Sequence, residues 1–249
     1  MADHIKLNDF SAGYRSEEIL RKINAEIPKP GITTILGQNG SGKTTMLRSL
    51  IKYTAVKGGS ITMAGKDLGR IPLNELPNYV AYAPAWLEDQ MGFTALNIVS
   101  SARISGRWIT EDEAAEVLEY LHIGYLAQKR FSELSSGQMK MVLIARALAS
   151  GAPTVMLDEP TSGLDISNKK RIMKMIRMLA ERRLSVVVAT HDLDIALISD
   201  WVIAIKNGSI IDSGARNKII SSALLSDLYD TNVRMVKLDN SRLTCVMDD

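Results

Sequence analysis

The chain has 249 residues and a mass of 27.4 kDa, enough for one large or two small domains and a core that needs no staples. Hydrophobic residues at 46% and charged residues at 23% exclude bulk disorder, and a single cysteine, Cys245, excludes an intrachain disulfide framework. Thirty basic and 28 acidic residues leave a net charge of +2, which gives no electrostatic case for nucleic acid.

The first residues, MADHIKLNDF, contain no basic segment leading into an apolar run, so no signal peptide is expected. No stretch approaches the ~18–20 apolar residues of a membrane helix. The longest candidate, Met139 to Ala149, is interrupted by Lys140 and Arg146. A membrane role is therefore expected to run through a partner. Ile5 to Phe10 and Ile19 to Ile27 alternate as half-buried strands do, and Ile32 to Leu36 is an apolar run feeding a glycine turn. A further strand is expected over Ser60 to Ala64, entered through Gly58-Gly59, and another over Tyr79 to Ala83. From about Leu87 to Ala149 the pattern is mostly helical, with Thr110 before Glu111, Asp112 and Glu113 as one helix start. Then come a buried strand over Thr154 to Leu157, a helix over Asn168 to Arg183, a β-branched strand over Ser185 to Thr190 and a short helix over Asp192 to Leu197. Asn207-Gly208 suits a tight hairpin between Val202 to Lys206 and Ser209 to Asp212, and Asp239-Asn240 a weaker one near the C-terminus. Alternating strands and helices predict an α/β core with a parallel sheet; the antiparallel strands in front and the helical block are additions to it.

GQNGSGKT, Gly37 to Thr44, fits G-x-x-x-x-G-K-[ST] between a strand and a helix. Glycines let backbone N–H groups turn inward around phosphate oxygens, and the helix from Lys43 offers its N-terminus to the anion. Lys43 is placed to reach the β- and γ-phosphates and Thr44 to ligate Mg²⁺. The apolar strand from Thr154 ends in Asp158-Glu159. That sets Asp158 at the carboxyl edge of the sheet as a Mg²⁺ ligand, with Glu159 as the general base for an attacking water. Together these elements predict a nucleoside triphosphatase.

Leu134 to Gln138 reads LSSGQ and runs into MKMVLIARALA. With the two elements above it resembles the signature of ATP-binding cassette (ABC) ATPases, and the resemblance spans nearly the whole chain. It implies a P-loop NTPase (RecA-like) core with an antiparallel β subdomain and an inserted helical subdomain over roughly 87–149, as a single ABC ATPase domain over 1–249. It further implies that Tyr14 stacks on adenine and that Gly37, Asn39, Gly40, Ser41, Gly42, Lys43, Thr44 and Thr45 hold the phosphates. Ser162 to Asp165 resembles the D-loop, His191 the switch histidine at the γ-phosphate, and Ser135, Ser136, Gly137, Gln138 and Asp165 serve nucleotide across a head-to-tail dimer. The implied ligands are ATP and Mg²⁺. The implied partners are a second ATPase subunit (a homodimer or a similar chain), integral membrane permease subunits and a substrate-binding protein, with no nucleic acid. The location implied is the cytoplasmic face of the cell membrane.

Two positions depart from the family's pattern. Alanine, Ala85, follows Pro84 where a glutamine is expected, with Gln90 five residues on, and Ser136 replaces a glycine. The front sheet, the helical block and Thr190-His191-Asp192-Leu193 leading to Lys206 through Gly214 resemble importers of iron-siderophore and cobalamin. Trp86, Leu87, Met91 and Phe93, within the segment Trp86 to Trp108, are candidates for docking a membrane subunit. An exporter subunit and a weakly hydrolysing regulatory module are the alternatives. DNA-acting members fit poorly, because only about 90 residues, without heptads, separate Lys43 from Ser135.

Overall fold

The computed structural model describes residues 5–28, 30–87, 92–104, 106–237 and 243–247. Strands β1 (Ile5–Tyr14) and β2 (Glu17–Ile27) form an antiparallel pair, followed by β3 (Gly31–Leu36) and helix α1 (Lys43–Leu50). Next come β4 (Ala55–Met63), β5 (Lys66–Asp67), β6 (Val80–Ala83), α2 (Ala95–Ser100), β7 (Arg103–Ile104), β8 (Arg107–Trp108), α3 (Glu111–Tyr120) and α4 (Ser136–Ala149). The rest is β9 (Thr154–Asp158), α5 (Ile166–Glu181), β10 (Ser185–Thr190), α6 (Leu193–Ile198), β11 (Trp201–Lys206), β12 (Ser209–Ala215), α7 (Arg216–Ile219), α8 (Ser222–Tyr229), β13 (Val233–Lys237) and β14 (Leu243–Met247).

A six-stranded sheet has the order β12-β11-β3-β10-β9-β6; all its neighbours are parallel except the β11–β12 hairpin. Its inner strands β9 and β10 are buried along their whole length, which explains why they read as continuous apolar runs rather than alternating ones. A four-stranded antiparallel sheet, β2-β1-β4-β5, covers one face, with Phe10, Leu20, Ile23, Ile35, Met46, Leu47 and Met156 fully buried between the layers. The opposite face is covered by α4 and α5, and the helical block packs there around Phe131, Met141, Leu143 and Ile144.

Three expectations change. Strand β4 begins at Ala55 and runs through Gly58-Gly59 instead of starting after it. There β1 is bulged, and a Cβ at Gly59 (φ +67) would lie 2.3 Å from the carbonyl oxygens of Asn8 and Asp9. The glycines therefore admit a close backbone approach inside the strand, not a break before it. The helical block contains the β7–β8 hairpin, with the Arg103 guanidinium 5.0 Å from the centre of the Trp108 ring. Strands of two residues carry no readable period. Helix α5 starts at Ile166 because Asp165 caps it, its side chain accepting from Asn168 N at 2.8 Å. The start at Thr110 holds: its hydroxyl accepts from Glu113 N, and the Glu113 carboxylate accepts from Thr110 N. Gln90, Met91, His4 and the turn at Asp239-Asn240 lie outside the described residues.

Candidate active site

The loop 37–42 leaves β3 at the carboxyl edge of the parallel sheet and enters α1 through Gly42 at φ +108. Gly42 supplies no side-chain cap. Among the described helices of six residues or more, α1 alone has this open end: Thr94, Thr110, Ser135, Asp165, Asp192 and Ser221 cap the others. The uncapped N–H groups and the positive end of the dipole face outward at the loop. A Cβ at Gly40 (φ +79) would meet nothing within 4 Å, so the loop is open on that side. The Ser41 hydroxyl is buried without a hydrogen-bond partner, a donor available to an anion in the loop. These features fit a nucleotide's phosphates.

Lys43 is only 5% exposed, and its Nζ donates to the carbonyls of Gly37 and Gln38, both at 2.9 Å. It also lies 3.1 Å from Oε1 of Glu159. The other Glu159 oxygen is 3.0 Å from His191 Nδ1 and 3.5 Å from the Thr190 hydroxyl. Glu159 itself adopts φ +44, a turn in which its N–H donates to Ala189 O at 2.8 Å. This strained turn swings the carboxylate out of the strand direction and over the loop. Thr44 donates to Asp158 Oδ1 at 2.9 Å, so the hydroxyl and carboxylate expected to hold a metal are in direct contact. Burial raises the Asp158 carboxyl above its ordinary range, against the Tyr82 and Thr44 hydrogen bonds that lower it. Two hard oxygen donors, Thr44 and Asp158, fit Mg²⁺, which keeps waters and phosphate oxygens in its shell.

Tyr14 ends β1, and its hydroxyl accepts from Arg48 of α1 at 3.5 Å. Thr45 is buried in the first turn of α1, and Asn39 is exposed at the loop tip. Ser135 caps α4, accepting from Gln138 N at 3.3 Å, and Ser136 is the first helical residue, where serine replaces glycine without strain. Gly137 packs so closely on α5 that a Cβ would sit 2.7 Å from Asn168 Cγ. No hydrogen bond or ion pair among the described residues joins 135–138 to the phosphate loop of the same chain. Ala85 is half-buried beyond the end of β6 and has no group that ligates a metal.

A family model described as ABC transporter matches residues 20–162, more than half of the chain. The chain belongs to the ABC transporter family. It is 28% identical over 246 residues to the petrobactin import ATP-binding protein of Bacillus subtilis (strain 168), covering 96% of this chain and 98% of that protein. It is 30% identical over 241 residues to the iron(3+)-hydroxamate import ATP-binding protein of the same organism, covering 93% and 90%. An inward-facing conformation of a putative metal-chelate type ABC transporter shares the fold, with a TM-score of 0.85 at 24% identity over 100% of this chain and 98% of that one. This ABC chain is thus an ATP-binding, ATP-hydrolysing subunit, and no described helix is long and apolar enough to cross a membrane.

Several residues of this ABC cassette were not singled out in the sequence. Tyr82 donates to Asp158 Oδ2 at 2.8 Å. Lys140, on the signature helix, donates to the carbonyls of Glu159 at 2.8 Å and Ser162 at 2.6 Å, tying that helix to the turn carrying the candidate base. Gln38 donates to Leu228 O at 3.0 Å, and the Tyr229 hydroxyl donates to His191 O at 3.0 Å. The end of α8 therefore touches both the phosphate loop and the histidine. The roles of all of them depend on packing between segments distant in the chain.

Proposed function

We propose that this chain is the motor subunit of an importer of iron chelates such as siderophore complexes. The observation that carries the ATPase part is the convergence of Lys43, Thr44, Asp158, Glu159 and His191 on one loop mouth. The substrate class rests on the petrobactin and iron-hydroxamate relatives, each matched over nearly its whole length. In this reading residues 1–249 form one ABC ATPase domain with its helical part over roughly 87–149. The subunit works on the cytoplasmic face of the membrane with permease subunits, a second copy of the ATPase and a substrate-binding protein. Exposed Trp86 and Phe93 suit docking to a permease.

The chemistry follows from the side chains. The N–H groups of 40–45 and the Lys43 ammonium bind the phosphates, and Tyr14 offers an aromatic face to the base. Thr44 and Asp158 would hold Mg²⁺, which would supply positive charge to the phosphate oxygens. Glu159 accepts a proton from the attacking water, and His191, 3.0 Å from that carboxylate, orients it and contacts the terminal phosphate. Ser135 to Gln138 present the N-terminus of α4 to the nucleotide of the partner, since they do not reach their own loop. Asp165 lies at the same interface.

Mg-ATP hydrolysis measured across a range of protein concentrations, with Lys43→Ala as control, tests this. A rate per molecule that rises with concentration is expected. No hydrolysis with or without permease subunits would leave an ATP-binding module whose Ala85 has cost it turnover. Stimulation of the assembled transporter by a ferric siderophore on its binding protein tests the substrate class; equal stimulation by an unrelated cargo overturns it.

A further inference from the structure

Asp158 is 3% exposed, yet both of its carboxylate oxygens have donors of different origin. Oδ1 receives the Thr44 hydroxyl at 2.9 Å, and Oδ2 receives the Tyr82 hydroxyl at 2.8 Å. The second contact comes from the sheet register. Strand β6 pairs in parallel with β9 so that Tyr82 opposes Met156, and Asp158 lies two residues further on, on the same face. The tyrosine ring spans that diagonal and ends on the carboxylate. Turning the carboxylate about its Cβ–Cγ bond would break both bonds at once.

The direction of the Tyr82 bond is also fixed. An ionised carboxylate only accepts, so the Tyr82 hydroxyl donates its proton to Asp158 Oδ2. Arg48, on α1, donates to the Tyr14 hydroxyl at 3.5 Å. Arg48 is itself braced against the Tyr53 ring, 5.6 Å from its centre.

We propose that Tyr82 is a positioning residue for the metal-holding carboxylate: it fixes Asp158 so that Thr44 donates to it and keeps its own lone pairs for the metal. This rests on the reading of Thr44 and Asp158 as the metal pair. Partners of this kind, one bond removed from the metal, change metal affinity by about 10–100-fold when lost. Tyr82→Phe removes one oxygen atom and keeps a ring in the half-buried place the tyrosine occupies.

The test uses Mn²⁺ as the probe, with ADP and the full-length chain, free Mn²⁺ being followed by electron paramagnetic resonance. In Tyr82→Phe, Mn²⁺ binding to the ADP complex is expected to weaken about 10–100-fold. ADP binding in EDTA should stay within about twofold, because phosphate contacts from the loop are untouched. The Mg²⁺ concentration for half-maximal hydrolysis should rise by a similar factor. Unchanged Mn²⁺ affinity overturns the proposal, and so does an equal loss of ADP binding in EDTA, which would mark a merely structural ring. Arg48→Gln keeps Tyr82 and Asp158 in place, so its Mn²⁺ affinity should fall less than that of Tyr82→Phe; an equal or larger fall counts against Tyr82 as the positioning group. Parent protein that binds ADP but shows no Mn²⁺ dependence would instead refute the metal reading of Thr44 and Asp158.

Discussion

Replacing Glu159 by Gln separates two roles of one carboxylate. Glu159 lies 3.1 Å from the buried Lys43 ammonium. At an effective dielectric constant of about 20, the gross attraction at that distance is about 5 kcal/mol. The net loss is smaller, because Gln keeps a carbonyl dipole and Lys43 keeps its bonds to Gly37 and Gln38. A hydrogen bond to a charged group is worth ~1.5–3 kcal/mol, so a net destabilisation of ~1–3 kcal/mol is expected. For a chain of this size that is a fall of ~2–12 °C in Tm without nucleotide. ATP reverses the order: its phosphates neutralise Lys43 whether or not the carboxylate is present, and the variant does not turn ATP over. Differential scanning fluorimetry should therefore show a lower Tm without nucleotide and a larger upward shift with Mg-ATP in Glu159→Gln than in the parent. Hydrolysis should fall by at least ~10²-fold, the scale of a lost general base. An unchanged Tm without nucleotide would refute the electrostatic argument, and retained hydrolysis would refute the assignment of the base.

Asp158→Asn should raise Tm without nucleotide by the equivalent of ~0.5–2 kcal/mol while removing metal-dependent turnover. Burial raises the Asp158 pKa, so the charged form is penalised at neutral pH and a neutral isostere relieves it; the amide nitrogen can face Thr44, whose hydroxyl both donates and accepts. A lower Tm by fluorimetry would contradict this. Lys140→Met removes two bonds to the turn at Glu159 and Ser162 and should cut kcat ~10-fold or more, with ATP affinity of the isolated chain unchanged within about twofold. A variant that loses binding and turnover equally would place Lys140 in the fold alone. Glu113, bonded to Arg107 and to Thr110 N, has its carboxyl held down to about 2. A depressed acid stabilises the fold above its unfolded value of about 4.3 and loses that contribution as pH falls toward 2. The Tm gap between the parent and Glu113→Gln should therefore shrink from pH 6 to pH 2; a gap that stays constant sinks the argument.

The phosphate loop could be read in the sequence because its chemistry is local: eight consecutive residues, a strand before and a helix after. Asp158 and Glu159 could be read because an apolar strand ending in acids is itself a local pattern. Tyr82 could not, since its role depends on the register of β6 against β9, and those strands are more than 70 residues apart in the chain. Lys140 likewise faces the turn at Glu159 only once α4 lies on the sheet. Gly58-Gly59 misled in the other direction. A glycine pair looks like a strand boundary, and only the bulged neighbour β1 shows that the backbones need the missing side chains. The departure at Ala85 was visible, but its consequence depends on which other residue stabilises the metal carboxylate, and Tyr82 supplies a contact there that a motif search does not seek.

The charged and hydroxyl side chains at the loop mouth fall into two sets. Lys43, Glu159 and His191 form one, and Thr44, Asp158 and Tyr82 the other. The first balances a buried cation with an anion, and the second balances a buried anion with two neutral hydroxyls. In the proposed reading a triphosphate would compete with Glu159 for Lys43, and a metal would bind beside Thr44 and Asp158. In that reading nucleotide takes Lys43 from Glu159 and leaves the carboxylate beside His191. Lys140 ties the turn at Glu159 to α4, the helix proposed to face the partner's nucleotide.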